Sequence, residues 1–207
     1  TGDLAFADHL ERIAYNALPT QATDDFNHRQ YFQTANQVVI TRRQRNFYES
    51  HGHGRTDLCF GLLTGYPCCT CNMHQGWPKF AQRLWFATPD EGLAAVLYAP
   101  SEVTTRLPNG QTVTVTQDTQ YPFEETVRFG FKTKKPVSFP LHLRIPGWCR
   151  EATIRVNDRA AERAAGPRIA KIERPWRNGD RFELTLPMSI AISRWVENSV
   201  AVERGPL

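Results

Sequence analysis

The chain has 207 residues, 41% of them apolar and 11% aromatic, which is ample for a packed core and enough for two domains, and which excludes general disorder. Its 25 basic and 21 acidic side chains are scattered and leave a net charge of +4, too weak and too mixed to indicate a nucleic-acid partner. No window approaches the roughly 18 uninterrupted apolar residues of a membrane helix and the start does not resemble a signal peptide, so a soluble protein with no membrane partner is expected.

In chain order, Leu4, Ala7, Leu10, Ala14 and Leu18 recur at three- and four-residue steps and predict one amphipathic helix over residues 3–18, stopped at Pro19. From Thr20 to Tyr66 the periodicity is poor, which predicts a long loop region with one extended segment near Tyr31 to Ile40; the basic run Arg42-Arg43-Gln44-Arg45 reads as solvated. Trp77, Phe80, Ala81, Leu84 and Trp85 then share a helical face, with Asn72 a candidate cap and Pro78 tolerable in the first turn.

The character changes at about Pro89. Beyond it Val127, Phe129 and Phe131, then Phe139, Leu141, Leu143 and Ile145, then Phe182, Leu184 and Leu186 alternate between Pro, Gly and Asn breakers. Asn109-Gly110 signals a tight hairpin and Arg177-Asn178-Gly179-Asp180 a second turn. Several short strands at this spacing predict an antiparallel sandwich. The ends of the chain, Thr1 running straight into a helical pattern and Leu207 closing a strand-like run, are those expected of a fragment.

Three of the five cysteines, Cys68, Cys69 and Cys71, lie within four positions of one another. An odd count with two adjacent thiols argues against a simple disulfide framework and for thiols that are reduced or metal-bound; Cys59 and Cys149 read as packing residues. One reading is a structural zinc knuckle on Cys68 and Cys71, completed by His74 or a distant residue. A redox dithiol is a second, weakened because no βαβ pattern surrounds it. A third is a thiolate nucleophile, favoured by the positive end of the following helix. The residues alone rank structural metal slightly ahead of catalysis.

Cys68-Cys69-Thr70-Cys71-Asn72 before a helix resembles the Cys-Cys-x-x-Asn signature of the bacterial β-L-arabinofuranosidases of glycoside hydrolase family 127. Leu10-Glu11-Arg12-Ile13-Ala14-Tyr15-Asn16 resembles a helix of that family, and Tyr31 follows Glu11 at the spacing of its substrate-contacting tyrosine. Tyr121-Pro122-Phe123, Leu143-Arg144-Ile145-Pro146-Gly147-Trp148, Val156-Asn157, Trp176 to Asp180, Leu186-Pro187-Met188 and Arg204-Gly205-Pro206-Leu207 resemble landmarks of its sandwich.

The resemblance implies a mixed α and β chain: residues 1–88 the C-terminal part of an (α/α)6 barrel, residues 89–207 an antiparallel β-sandwich. It implies retaining hydrolysis of an arabinose-containing oligosaccharide or glycan, with Cys68 as nucleophile, Cys68 and Cys69 binding Zn2+, and Glu11 and Tyr31 touching the sugar. The acid/base glutamate and the remaining zinc ligands would precede residue 1. Cys71 stands where the family usually has proline, so it joins Cys68 and Cys69 as a candidate metal ligand, and the usual Trp-Phe-Gly lead-in is missing from Thr64 to Pro67. On their own residue types, Glu11 reads as a solvated helix residue, Tyr31 as a half-buried strand residue, and His51, His53 and His74 as polar residues able at most to contact sugar. A binding module with Trp148 or Trp176 as a sugar platform, and a zinc-stabilised structural protein, are the competing readings.

Overall fold

The computed structural model describes residues 2–22, 71–195 and 198–207. The chain divides into two compact units, one made of residues 1–11, 81–191 and 203–207 and the other of residues 12–80 and 192–202.

The first unit is a β-sandwich. Strands β1 (Trp85–Ala87), β2 (Leu93–Ala95), β6 (Val137–Ile145) and β9 (Arg168–Trp176) form a four-stranded sheet in the order β1-β2-β6-β9. Strands β3 (Ser101–Arg106), β4 (Thr112–Thr119), β5 (Thr126–Thr133), β7 (Ala152–Val156), β8 (Arg159–Ala164) and β10 (Arg181–Thr185) form a six-stranded sheet in the order β3-β4-β5-β10-β7-β8. Neighbours in these sheets run antiparallel except β2 and β6, which are parallel with Leu93 beside Leu141.

The expected alternation is what closes the core. Val127, Phe129 and Phe131 of β5 and Phe182 and Leu184 of β10 point inward from the six-stranded sheet, while Phe139, Leu141, Leu143 and Ile145 of β6 face them; all are buried. Trp176 of β9 stacks on Phe131 with centroids 4.1 Å apart and planes at 11°, meets Phe182 edge-on at 6.1 Å, and donates its indole N–H to the Phe139 carbonyl at 3.0 Å. This large side chain bridges the sheets with its one polar atom satisfied. It is fully buried, so Trp176 is not the exposed sugar platform considered from the sequence.

Both turn signals act as expected. Between β3 and β4, Leu107 N–H donates to Gln111 O at 2.9 Å, Gly110 takes φ +81°, and the Asn109 side chain accepts from Gln111 N–H at 2.9 Å. Between β9 and β10, Gly179 takes φ +82° and Asp180 accepts from Arg177 N–H and from the Asn157 amide, both at 2.9 Å. The Asn157 side-chain oxygen in turn accepts from Arg181 N–H at 2.9 Å, so a single Asn-Asp pair ties this turn to the end of β7.

Helix α1 (Ala5–Arg12) starts at Asp3, whose carboxylate accepts from Ala5 N–H at 2.9 Å. The single helix expected over residues 3–18 is broken: α1 ends at Arg12, Ile13–Ala17 is a π-helical turn closed by Leu18 N–H to Ile13 O at 2.9 Å, and Pro19–Gln21 tightens to a 3₁₀ turn. Pro19 has no N–H with which to continue the ladder.

In the second unit, the 3₁₀ turn Met73–Gln75 leads into helix α2 (Gly76–Ala81), and Tyr15 meets Phe80 edge-on at 5.4 Å. Pro78 sits in the first turn of α2 as expected. Asn72 does not cap through its side chain; its oxygen accepts from the Gln75 amide at 2.8 Å. Trp85, expected on the same helical face, instead opens β1, because the helical stretch ends at Ala81. Strands β11 (Ile190–Arg194) and β12 (Val200–Arg204) pair as a two-stranded ribbon. The described residues are therefore mixed but mostly β; two short α-helices lie wholly within them, beside helical backbone at residues 71–72 and π and 3₁₀ turns, and the predicted extended segment at residues 31–40 lies outside them.

Trp176→Ala should cost about 3–5 kcal/mol, since it empties the centre of the sandwich and orphans a carbonyl; a urea midpoint shift at unchanged slope reads this. Burial works against the Asp180 charge, but the Asn157 amide, the Arg177 N–H and the neighbouring arginines hold its carboxyl below its usual range. A depressed carboxylate adds stability above its unfolded pKa and loses it as the pH falls. Asp180→Asn should therefore weaken the fold near neutrality and flatten the acid side of its stability curve, measured by thermal unfolding at stepped pH.

Candidate functional site

Two carboxylates three residues apart on α1, Asp8 and Glu11, share one face of that helix. Both meet Arg144, which sits on the non-core face of β6 in the run Leu143-Arg144-Ile145. A charge within so apolar a strand needs a partner, because an unpaired buried guanidinium costs far more than the strand gains. Arg144 is fully buried, pairs through one terminal nitrogen with Asp8 and through the other with Glu11 at 2.5 Å, and donates Nε–H to the Val96 carbonyl at 2.5 Å.

A second layer holds these groups. The Tyr121 hydroxyl donates to the other Glu11 oxygen at 2.8 Å, and Gly147 N–H donates to the free oxygen of Asp8 at 3.0 Å. The Tyr98 hydroxyl donates to the Arg144 carbonyl, its ring lies 5.9 Å beneath the guanidinium, and Tyr98 and Tyr121 meet edge-on at 5.6 Å. Burial pushes the Glu11 carboxyl up from its ordinary range, while Arg144 and the Tyr121 hydroxyl pull it back. Burial opposes the Arg144 charge, but Glu11 outweighs it and holds the guanidinium more firmly protonated. Burial likewise pushes the Tyr98 hydroxyl up, keeping it a neutral donor.

Glu11 is thus neither solvated nor loose, correcting what its residue type alone suggested: it is 0% exposed and engaged at both oxygens. Asp8, Tyr98, Tyr121 and Arg144 were not picked out as site residues from the sequence. The signal was present in Arg144, a lone charge in an alternating apolar strand, and in two acids at helical spacing; what joins them is a contact across more than a hundred residues.

Of the thiols, Cys71 is described: it lies in helical backbone just ahead of Met73–Gln75, exposed and in no disulfide. Cys68, Cys69 and Tyr31 fall outside the described residues, as do Cys59, His51 and His53. His74 is exposed, Trp148 is half-buried, and Cys149 is buried with burial raising its thiol pKa, as suits a packing residue. Among the described residues no group of three or more His, Cys, Asp or Glu side chains could hold a metal ion.

Glu11→Gln removes the charge that neutralises Arg144 and should destabilise the first unit by about 3–5 kcal/mol. Chemical denaturation measures the loss; an unchanged midpoint would mean that the pair does not hold α1 in place.

Residues 92–188 match the family model for the middle domain of the GH127 beta-L-arabinofuranosidases. The chain is similar to the crystal structure of a GH127 beta-L-arabinofuranosidase from Geobacillus stearothermophilus T6, with 25% identity and a TM-score of 0.77 over 99% of this chain and 32% of that one. A second solved structure, described as a glycoside hydrolase, has 26% identity and a TM-score of 0.76 over 100% of this chain and 34% of its own. A third, a GH127 beta-arabinofuranosidase, shares the fold at 22% identity and a TM-score of 0.74, covering 99% and 33%. No curated protein matches the chain. The chain thus spans about a third of the length of these solved relatives. Residues 92–188 thus match the middle domain of the GH127 beta-L-arabinofuranosidases, and the fold of the chain is similar to that of solved GH127 proteins.

Proposed function

We propose that this chain is part of a retaining glycoside hydrolase that releases β-L-arabinofuranose from an arabinose-containing glycan, with Cys68 as the nucleophile. The observation that carries this reading is the likeness to the Geobacillus beta-L-arabinofuranosidase along 99% of the chain. On this reading residues 1–88 close a helical catalytic barrel and residues 89–207 are the sandwich beside it. Tyr31 contacts the sugar. The full pairing of Glu11 with Arg144 and Tyr121 favours a positioning role for Glu11, fixing the helix ahead of Tyr31, over a direct sugar contact.

The chemistry asks for a sulfur that is ionised near neutral pH. Cys68 Sγ attacks the anomeric carbon as its bond to the leaving oxygen breaks, a carboxylic acid protonates that oxygen, and the same carboxylate then takes a proton from the water that cleaves the carbon–sulfur bond. Three thiols in four positions are a soft donor set suited to zinc, and Cys71 is free to join it, so Cys68, Cys69 and Cys71 are the residues that would hold the ion. When bound, zinc lowers a thiol's pKa, and the positive end of the following helical segment acts in the same direction. The acid/base carboxylate lies, on this reading, outside these residues.

The test is made on the full-length protein. Cys68→Ser should abolish hydrolysis of a β-L-arabinofuranoside while leaving the melting temperature nearly unchanged, since a serine hydroxyl stays un-ionised at neutral pH. Cys71→Pro should be tolerated; inactivation by Cys71→Pro with a harmless Cys68→Ser would move the nucleophile. Elemental analysis should find one zinc per chain, and intact thiols without stoichiometric zinc would remove the metal. The 207-residue chain alone should not turn over, since loss of general acid/base assistance costs about 10²–10⁴-fold; full turnover by it would place the acid/base within these residues.

A further inference from the structure

The end of the six-stranded sheet where β4 begins and β5 finishes carries a hollow of about 670 Å³, and every residue lining it belongs to the first unit. Thr114 of β4 pairs with Lys132 of β5, and the even-numbered positions of both strands point away from the core, so Thr112, Thr114 and Lys132 stand on the outer face. Lys134 and Lys135 follow in the link to β6. That link is fixed: the Thr133 hydroxyl donates to the Lys135 carbonyl at 2.8 Å, and Thr133 N–H donates to Asn178 Oδ1 of the β9–β10 turn at 3.4 Å. The backbone that carries these lysines is thus held in one shape before any ligand arrives.

The charge of the hollow is one-sided. Lys132, Lys134 and Lys135 line it, and no carboxylate is among the lining residues. Arg106, opposite Thr112 in the β3–β4 register, reaches over the hairpin, its Nη2 lying 3.6 Å from where a Cβ on Gly110 would stand. Lys132 meets Glu102 at 3.4 Å, but these side chains are 70 and 52% exposed, so the pair neutralises little. Between the cations lie hydroxyls and amides, among them Gln111, whose side-chain oxygen is buried without a hydrogen-bond partner. A buried acceptor left alone is costly, and a hydroxyl donor would satisfy it.

We propose that this hollow binds a carboxylated glycan, a chain of sugars bearing uronate groups. That the ligand is a glycan rests on the proposed function; that it is anionic does not. The lysines take the carboxylates, because an ammonium is a compact point charge with three donors, and Thr112, Thr114, Asn178 and Gln111 take the sugar hydroxyls. The volume falls within the range of about 300–1,000 Å³ that holds whole small ligands, so one phosphate-sized ion would leave most of it empty. Nucleic acid fits less well, since no aromatic side chain lines the hollow on which a base could stack.

The experiment titrates the full-length protein with hexagalacturonate by calorimetry, beside the variant Lys132→Gln/Lys134→Gln/Lys135→Gln. Affinity should fall by about tenfold or more in the variant and should weaken as salt is raised, and neutral maltohexaose should bind neither protein. If the triple variant does not fold, Lys134→Gln alone should weaken binding in the same direction by a smaller factor. Absence of binding by the wild type, or equal binding by the variant, overturns the proposal. So does inorganic phosphate or a single-stranded hexanucleotide that binds as tightly as the glycan, since the surface would then read charge alone. Binding is read without turnover: a protein that binds hexagalacturonate through these lysines but cleaves no β-L-arabinofuranoside would strike the proposed hydrolysis and leave this site standing.

Discussion

The charge of Arg144 is the constraint around which the first unit is organised. A guanidinium taken wholly out of water must be neutralised and must place its donors, and it does so with two carboxylates from α1 and one carbonyl beside β2. Every nearby feature of the sequence follows from that demand. Asp8 and Glu11 stand at helical spacing because one arginine has two terminal nitrogens to satisfy. Tyr121 and Gly147 supply donors to the carboxylate oxygens left over, and Tyr98 offers its ring below the guanidinium and its hydroxyl to the arginine's own carbonyl. The charges therefore specify where the helix lies on the sheet; apolar contacts alone would allow it to slide.

This also explains the departure of β6 from simple alternation. Val137, Phe139, Leu141, Leu143 and Ile145 face the other sheet, yet Pro140 and Arg144 on the opposite side are buried as well. His142, between them, is half-buried and bonds Asp90, which also receives Lys171 at 3.0 Å and the Thr88 hydroxyl at 2.5 Å. One strand thus carries an apolar core face on one side and two polar anchors, His142 and Arg144, on the other.

What the sequence made legible was the part governed by local rules. Inward residues of β5, β6 and β10, the Asn109-Gly110 hairpin and the Asp180 turn all follow from period-two burial and from residues that tolerate positive φ. The missed parts are those decided at a distance. Nothing local says that Glu11 faces an arginine in β6, so residue type alone suggested solvent. Nothing in the 3–18 periodicity marks the change to a wider turn at Ile13, since the apolar spacing continues through it. Trp85 kept a helical spacing from Ala81 while the backbone had already become a strand. Of the three clustered thiols, Cys71 alone is among the described residues, where it is exposed and already in helical backbone; Cys68 and Cys69 stand on the sequence and its resemblance alone.

The parallel pairing of β2 with β6 imposes an order on assembly. The β3-β4-β5 meander joins neighbours in sequence, so its loops close at small entropic cost. The four-stranded sheet differs: Leu93 must find Leu141, and β6 must then find β9, whose last residue is Trp176. On a chain emerging from the ribosome, the meander can form while its partner sheet is still incomplete, leaving Phe131 without the tryptophan that later stacks on it. The interval between the synthesis of Phe131 and that of Trp176 is therefore the stretch of translation in which this sandwich is most exposed to misassembly.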